Sequence, residues 1–119
     1  MEQRLIELLD VLVKYNTESP PGRNTDPLQD DIEQLLKTLN FDIQREHLYE
    51  NDSVIVATLK GEDEDAPKLI LNGHVDVANV DDDSNWHYPP FQLTEKEGWL
   101  YGRGAVSYTH LRAHETVLD

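Results

Sequence analysis

The sequence predicts an α/β fold, incomplete as it stands, because two amphipathic helices come first, candidate strands follow, and one of those strands is apolar on both faces. A strand of that last kind belongs inside a layered sheet, covered from both sides. With 119 residues, 38% of them hydrophobic, the chain can build one modest core at most. A large multidomain enzyme cannot be complete at this length.

The elements follow in order. From Arg4 to Tyr15, Leu5, Leu8, Leu9, Leu12 and Val13 recur at helical spacing with Glu7, Asp10 and Lys14 on the other side, which predicts a surface helix with one buried face. It must stop before Ser19-Pro20-Pro21-Gly22, since proline lacks a donor and biases its predecessor away from helix. That segment is a rigid loop. A second helix is expected with Asp26 as N-cap, Pro27 at its first position and Gln29 placed as in a capping box; Leu28, Ile32, Leu35, Leu36 and Leu39 supply its apolar stripe. Three strands are predicted next, over Phe41–Glu46, Ser53–Leu59 and Lys68–Asn72, the first alternating and the other two largely apolar. The acidic turn Gly61–Asp65 separates the last two, and Phe91–Tyr101 reads as a hairpin with Gly98 in its turn.

Composition narrows the function. Lys and Arg number 10 against 24 Asp and Glu, a net charge of −14, so the chain's field repels phosphate backbones and anionic lipid. No nucleic-acid partner is expected. There is no cysteine, which removes disulfides, thiolate metal clusters and a cysteine nucleophile. The charged opening Met1-Glu2-Gln3-Arg4 is unlike a signal peptide, and no run approaches the roughly 20 apolar residues of a membrane span. The expectation is a soluble cytoplasmic protein without a membrane partner.

The chemistry concentrates in Leu69-Ile70-Leu71-Asn72-Gly73-His74-Val75-Asp76. Where the predicted strand ends, an imidazole and a carboxylate emerge two residues apart, which in extended backbone points both to the same side. His74 could ligate a metal while Asp76 orients or polarises a neighbouring ligand, as carboxylates that fix an imidazole's tautomer do, an arrangement suited to zinc. A hydrogen-bonded pair at a strand end is the competing reading of the triplet taken alone.

Context comes from Asn85-Trp86-His87-Tyr88-Pro89-Pro90-Phe91 and Gly98-Trp99-Leu100-Tyr101-Gly102-Arg103-Gly104-Ala105 downstream, and from Ser19-Pro20-Pro21-Gly22 upstream. Together with the His-x-Asp stretch, this ordered set over residues 1–105 resembles the amino-terminal part of the M20 metallopeptidase family, which includes acetylornithine deacetylase and succinyl-diaminopimelate desuccinylase. The resemblance implies a layered catalytic domain with two helices and then a mixed β-sheet, cut short here. It implies hydrolysis of the amide bond of N-acyl amino acids or small peptides by two divalent ions, zinc or cobalt. His74 would be a ligand of one zinc and Asp76 the catalytic carboxylate supporting the metal site, with the general-base Glu outside this chain. A homodimer is a further implication for the full-length enzyme. The fragment itself is expected to be inactive, since a catalytic zinc takes three protein ligands and a water.

The family continues after its Gly-Arg-Gly-x stretch with an Asp that bridges the metals; this chain has Ser107 there. From Val106 onward, Val-Ser-Tyr-Thr-His-Leu-Arg-Ala-His-Glu-Thr resembles the in-frame translation of a transposase adapter used to prepare DNA libraries. Residues 106–119 are therefore read as a non-native tail. Removing them takes out one Arg, one Glu and one Asp and leaves a net charge of −13. His110 and His114 with Glu115 tempt a metal reading, but the order is not that of His-Glu-x-x-His.

Other signals are weaker. Asp81-Asp82-Asp83-Ser84-Asn85 mimics an EF-hand opening yet has Trp86 where glycine is needed and Gln92 where a bidentate Glu is needed, so a solvated loop is the better reading. Trp86, Tyr88, Phe91, Trp99 and Tyr101 read as packing aromatics rather than a substrate pocket. His87 reads as a loop residue and His47 as a strand-end one, while Gly102-Arg103-Gly104 is too short for a phosphate cradle. The resemblance assigns those glycines to backbone passing close to metal ligands. The alternative from another class is a small acidic, noncatalytic binding module, whose apolar faces would be fully covered.

Overall fold

The computed structural model describes residues 2–20, 22, 24–63, 65–81 and 83–105. The chain divides into two units, one built from residues 2–16 and 79–105, the other spanning Thr17–Ala78. The sequence of elements is α/β as expected: two helices, then antiparallel strands.

In the first unit, helix α1 runs over Glu2–Val13, beginning and ending two residues earlier than its apolar periodicity suggests. Among the described residues of α1 only Val13 is buried, at 4% exposure, whereas Leu5 and Leu12 on the same stripe remain open. Val13 packs against backbone: a Cβ on Gly102 would lie 2.7 Å from its Cγ1. Gly102 therefore serves close packing against α1. The hairpin expected near Gly98 is present, with Thr94–Lys96 pairing antiparallel to Trp99–Tyr101. Its two central residues, Glu97 and Gly98, both have positive φ, which matches the right-handed twist of the flanking strands. Numbered in chain order, these strands are β3 and β4.

The second unit is built around helix α2, Asp26–Thr38. Its N-cap is Thr25, not Asp26, and Thr25 makes no side-chain cap. Its hydroxyl donates instead to Asp52 Oδ1 at 2.6 Å, and the backbone N–H groups of Thr25 and Asp26 both donate to the Asn51 carbonyl. Gln29 does not close a capping box either. Its Nε2 donates to the Ser53 carbonyl at 3.0 Å from a buried position. The helix ends in a Schellman arrangement, with Asn40 at φ 61° and its N–H donating to Lys37 O while Phe41 N–H donates to Leu36 O.

Strand β1, Asp42–Tyr49, pairs antiparallel with β2, Asp52–Thr58, in a register from Asp42↔Thr58 to Tyr49↔Asp52 with an irregularity between His47 and Tyr49. Leu28 is the buried apolar residue of this unit, at 2% exposure. A polar clasp supplements it. All five guanidinium N–H donors of Arg45 on β1 are used, Nε to Ser53 Oγ, Nη1 to Asp30 and Glu33, and Nη2 to the carboxylate and carbonyl of Asp26.

Two expectations fail. Lys68–Asn72 is not a strand, and Leu69, Ile70 and Leu71 are 84%, 85% and 81% exposed. The mixed sheet is correspondingly absent among the described residues: two separate antiparallel pairs are present, and the parallel pairing is a single bridge, Glu18↔Val77. The cause is the same for both. A strand apolar on both faces gains its stability from neighbouring strands and covering layers, and nothing in the described residues supplies them.

Candidate functional site

The pair His74 and Asp76 lies in the second unit, on the extended stretch that continues from the exposed 68–72 segment. What holds that stretch is the first loop. Val77 N–H donates to Thr17 O at 3.1 Å, Ser19 N–H to Val77 O at 2.9 Å, and the Thr17 hydroxyl to Val75 O at 2.6 Å. Thr17 is buried at 2% exposure, so this frame sits under the site and not in solvent. Sequence reasoning read the loop as rigid but missed Thr17 as its anchor. The available signal was a β-branched hydroxyl residue two positions before the Ser19-Pro20-Pro21-Gly22 segment.

The alternation argument holds in the geometry. His74 Nδ1 lies 3.1 Å from Asp76 Oδ1 and 3.0 Å from the Asp76 carbonyl oxygen, so the two side chains share one side of the backbone. Two oxygen acceptors at Nδ1 favour the tautomer that carries its proton there, which makes Nε2 the atom with a lone pair to offer. Both side chains are about half exposed, at 54% and 52%.

The pair alone does not make a metal centre. Among the described residues no group of three His, Asp or Glu is placed so that it could hold a metal ion, while a catalytic zinc takes three protein ligands. One imidazole nitrogen with its bracing carboxylate fits a single ligand position. The residues present therefore do not fit a complete zinc site. His110, His114, Glu115 and Ser107 lie outside the described residues, as does Asp82 of the acidic loop.

The aromatic residues form a feature of the first unit. Trp86, Tyr88, Tyr101 and Arg103 line an open concavity of about 470 Å³. Its walls are already paired: the Tyr88 and Tyr101 rings meet at 4.8 Å between centroids, and the Arg103 guanidinium lies 5.6 Å from the Trp86 ring. Arg103 also donates from Nη2 to Asn79 O and from its backbone N–H to Pro90 O, tying three stretches of irregular chain together. The packing reading accounts for those contacts of Trp86, Tyr88 and Tyr101 but not for Trp99, which is 69% exposed. His87 is an exposed loop residue, and His47 lies within β1, with Nδ1 3.5 Å from Asp26 Oδ2.

Comparison with known proteins extends this picture. Residues 70–110, which include the His74–Asp76 pair, match the model of Peptidase family M20/M25/M40. A relative described as N-formyl-4-amino-5-aminomethyl-2-methylpyrimidine deformylase, from Bacillus subtilis (strain 168), is 45% identical over 105 residues, covering 87% of this chain and 25% of that protein. A protein of the same description from Halalkalibacterium halodurans is 42% identical over 106 residues, with 88% and 25% covered. A probable succinyl-diaminopimelate desuccinylase from Staphylococcus aureus (strain Mu50 / ATCC 700699) is 41% identical over 109 residues, with 88% and 25% covered. Over the matched stretch the chain carries M20-family sequence, and it spans about a quarter of the length of these curated relatives.

Proposed function

We propose that this chain is the amino-terminal part of a metal-dependent amide hydrolase, acting on N-acyl amino acids or small peptides. The observation that carries the reading is the His74 Nδ1 to Asp76 Oδ1 contact of 3.1 Å inside the family-matched stretch. In that reading His74 is a metal ligand through Nε2, and Asp76 fixes its tautomer and ring orientation. The ions are two zincs, with cobalt as a substitute, and the remaining ligands and the general base belong to polypeptide outside this chain. Residues 1–105 are the catalytic-domain portion and 106–119 the non-native tail. The full-length protein is cytoplasmic and a homodimer, with a small-molecule substrate and neither nucleic acid nor membrane as partner.

The exposed Leu69–Leu71 run counts against the compact binding module, which would cover its apolar surface. Genomic DNA read through the codon of Ala105 tests the assignment directly. An aspartate three codons beyond Gly104, in place of Ser107, is expected, and native coding of Ser107–Thr116 would overturn the tail reading. In this chain, calorimetric titration with zinc should give no tight stoichiometric binding. In the full-length protein, Asp76→Asn should weaken metal binding about 10–100-fold, the usual effect of losing the carboxylate behind a ligating imidazole. Unchanged affinity would remove Asp76 from the proposed role.

A formyl amide is the second reading of the substrate, favoured by the identities of 45% and 42% to two proteins described as deformylases. Release of formate against release of succinate by the full-length protein separates it from the desuccinylase reading.

A further inference from the structure

We propose that Asn72 is a site of spontaneous covalent modification, converting to aspartyl and isoaspartyl forms through a cyclic imide with Gly73. Of the seven asparagines in the chain, Asn72 is the one followed by glycine; the others precede Thr17, Thr25, Phe41, Asp52, Val80 and Trp86. The reaction needs the backbone nitrogen of the next residue to reach the side-chain carbonyl carbon. A following residue without a Cβ crowds that approach least and allows the φ and ψ it requires.

The structure removes the restraints that would oppose it. Residues 67–76 adopt no regular secondary structure, and both Asn72 and Gly73 are exposed. Among the described residues neither has a hydrogen-bond partner, so the Gly73 N–H is not held in a ladder. Asn40 and Asn51, by contrast, sit at the end of α2 and in the β1–β2 turn, with the Asn40 N–H and the Asn51 carbonyl hydrogen-bonded.

The chemistry balances with water alone. The Gly73 nitrogen, having given up its proton to solvent, bonds to Asn72 Cγ; the Cγ–Nδ2 bond breaks, and the side-chain nitrogen leaves as ammonia. Water then opens the five-membered imide at either carbonyl, giving a normal aspartyl link or an isoaspartyl link with one extra methylene in the backbone. Each outcome adds a negative charge two residues before His74, and the isoaspartyl form also displaces the backbone that carries the His74–Asp76 pair.

The experiment is incubation of the 119-residue chain at neutral and at mildly alkaline pH, with ammonia release and peptide mapping of all seven asparagines over time. Position 72 should convert at least about tenfold faster than any other, since it alone has an uncrowded neighbour. The rate should rise with pH, and hydroxylamine should cleave the chain between residues 72 and 73. Gly73→Ala should slow conversion. Urea supplies a control that needs no variant: an already open segment reacts at the same rate in denaturant. Conversion of Asn72 no faster than the other six, or strong acceleration in urea, would overturn the proposal.

Discussion

Gly102 is glycine for a reason of volume. Its φ is not in the left-handed region, yet a Cβ there would sit 2.7 Å from Val13 Cγ1 and 3.2 Å from Cγ2. Val13 is the buried apolar residue of its unit and has little room to yield. Gly102→Ala should therefore destabilise that unit by about 1–3 kcal/mol, the usual cost of overpacking, read as a lower urea midpoint. Arg45 poses the opposite case, a single side chain whose value is electrostatic. The Ser53 hydrogen bond and then Arg45 hold the Asp26 carboxyl below its ordinary 3.8, and hydrogen bonds from Lys37 and then Arg45 hold Glu33 below 4.5. Both groups have folded pKa values depressed relative to the unfolded chain. The stability they contribute is thus complete above 4.5 and is lost as pH falls through 4.5 and 3.8 into the lowered folded range. Urea melts across that window should show falling stability in the wild type. In Arg45→Met the neutral-pH stability should drop by roughly 1–3 kcal/mol and the acid dependence should flatten, while an unchanged pH profile would mean that Arg45 is not the source.

At the scale of elements, α2 with β1 and β2 is the part whose cohesion is easiest to account for. A two-stranded pair is marginal alone, and here α2 stabilises it through Leu28 and through the Asp26, Asp30 and Glu33 row that Arg45 bridges. Leu28→Ala should cost about 2–5 kcal/mol. Because α2 is the element that packs on the hairpin among the described residues, helix and strand signals should be lost together in one circular-dichroism transition. These elements were legible in the sequence where the signal was local: the Pro27 helix start, the Gly98 turn and the alternation in β1 all depend on near neighbours along the chain. The N-cap was misplaced by one residue because Thr25 and Asp26 are both cap formers, and the choice between them was made by Asp52, Ser53 and Arg45, distant in sequence. The His74–Asp76 pairing was legible from alternation alone. Its frame at Thr17 was not, since that contact joins residues 58 positions apart.

On the scale of the whole molecule, the failed strand at 68–72 is the informative element, because its pattern is right and its surroundings are missing. Leu69 and Leu71 on one side and Ile70 on the other demand cover on two faces, yet all three are more than four-fifths exposed. The chain spans about a quarter of the curated relatives it matches, so the demand and the missing length agree. Substitution of the central residue separates a strand waiting for neighbours from a loop that never needs them. In this chain Ile70→Lys removes nothing from a core and should change stability by no more than about 0.5 kcal/mol, as for other surface positions. In the full-length protein the same change would bury an unpaired ammonium between layers and should prevent folding or cost more than about 4 kcal/mol. A second readout follows from charge. Self-association through this apolar run is opposed by the net charge of −14, and added salt screens repulsion beyond about 10 Å at 0.1 M. Light scattering and binding of an apolar dye by the wild-type chain should therefore rise with salt, and Ile70→Lys should suppress both. Equal tolerance of the substitution in the chain and in the full-length protein would mean that residues 68–72 are a loop in each, and the layered-sheet account of this segment would fail.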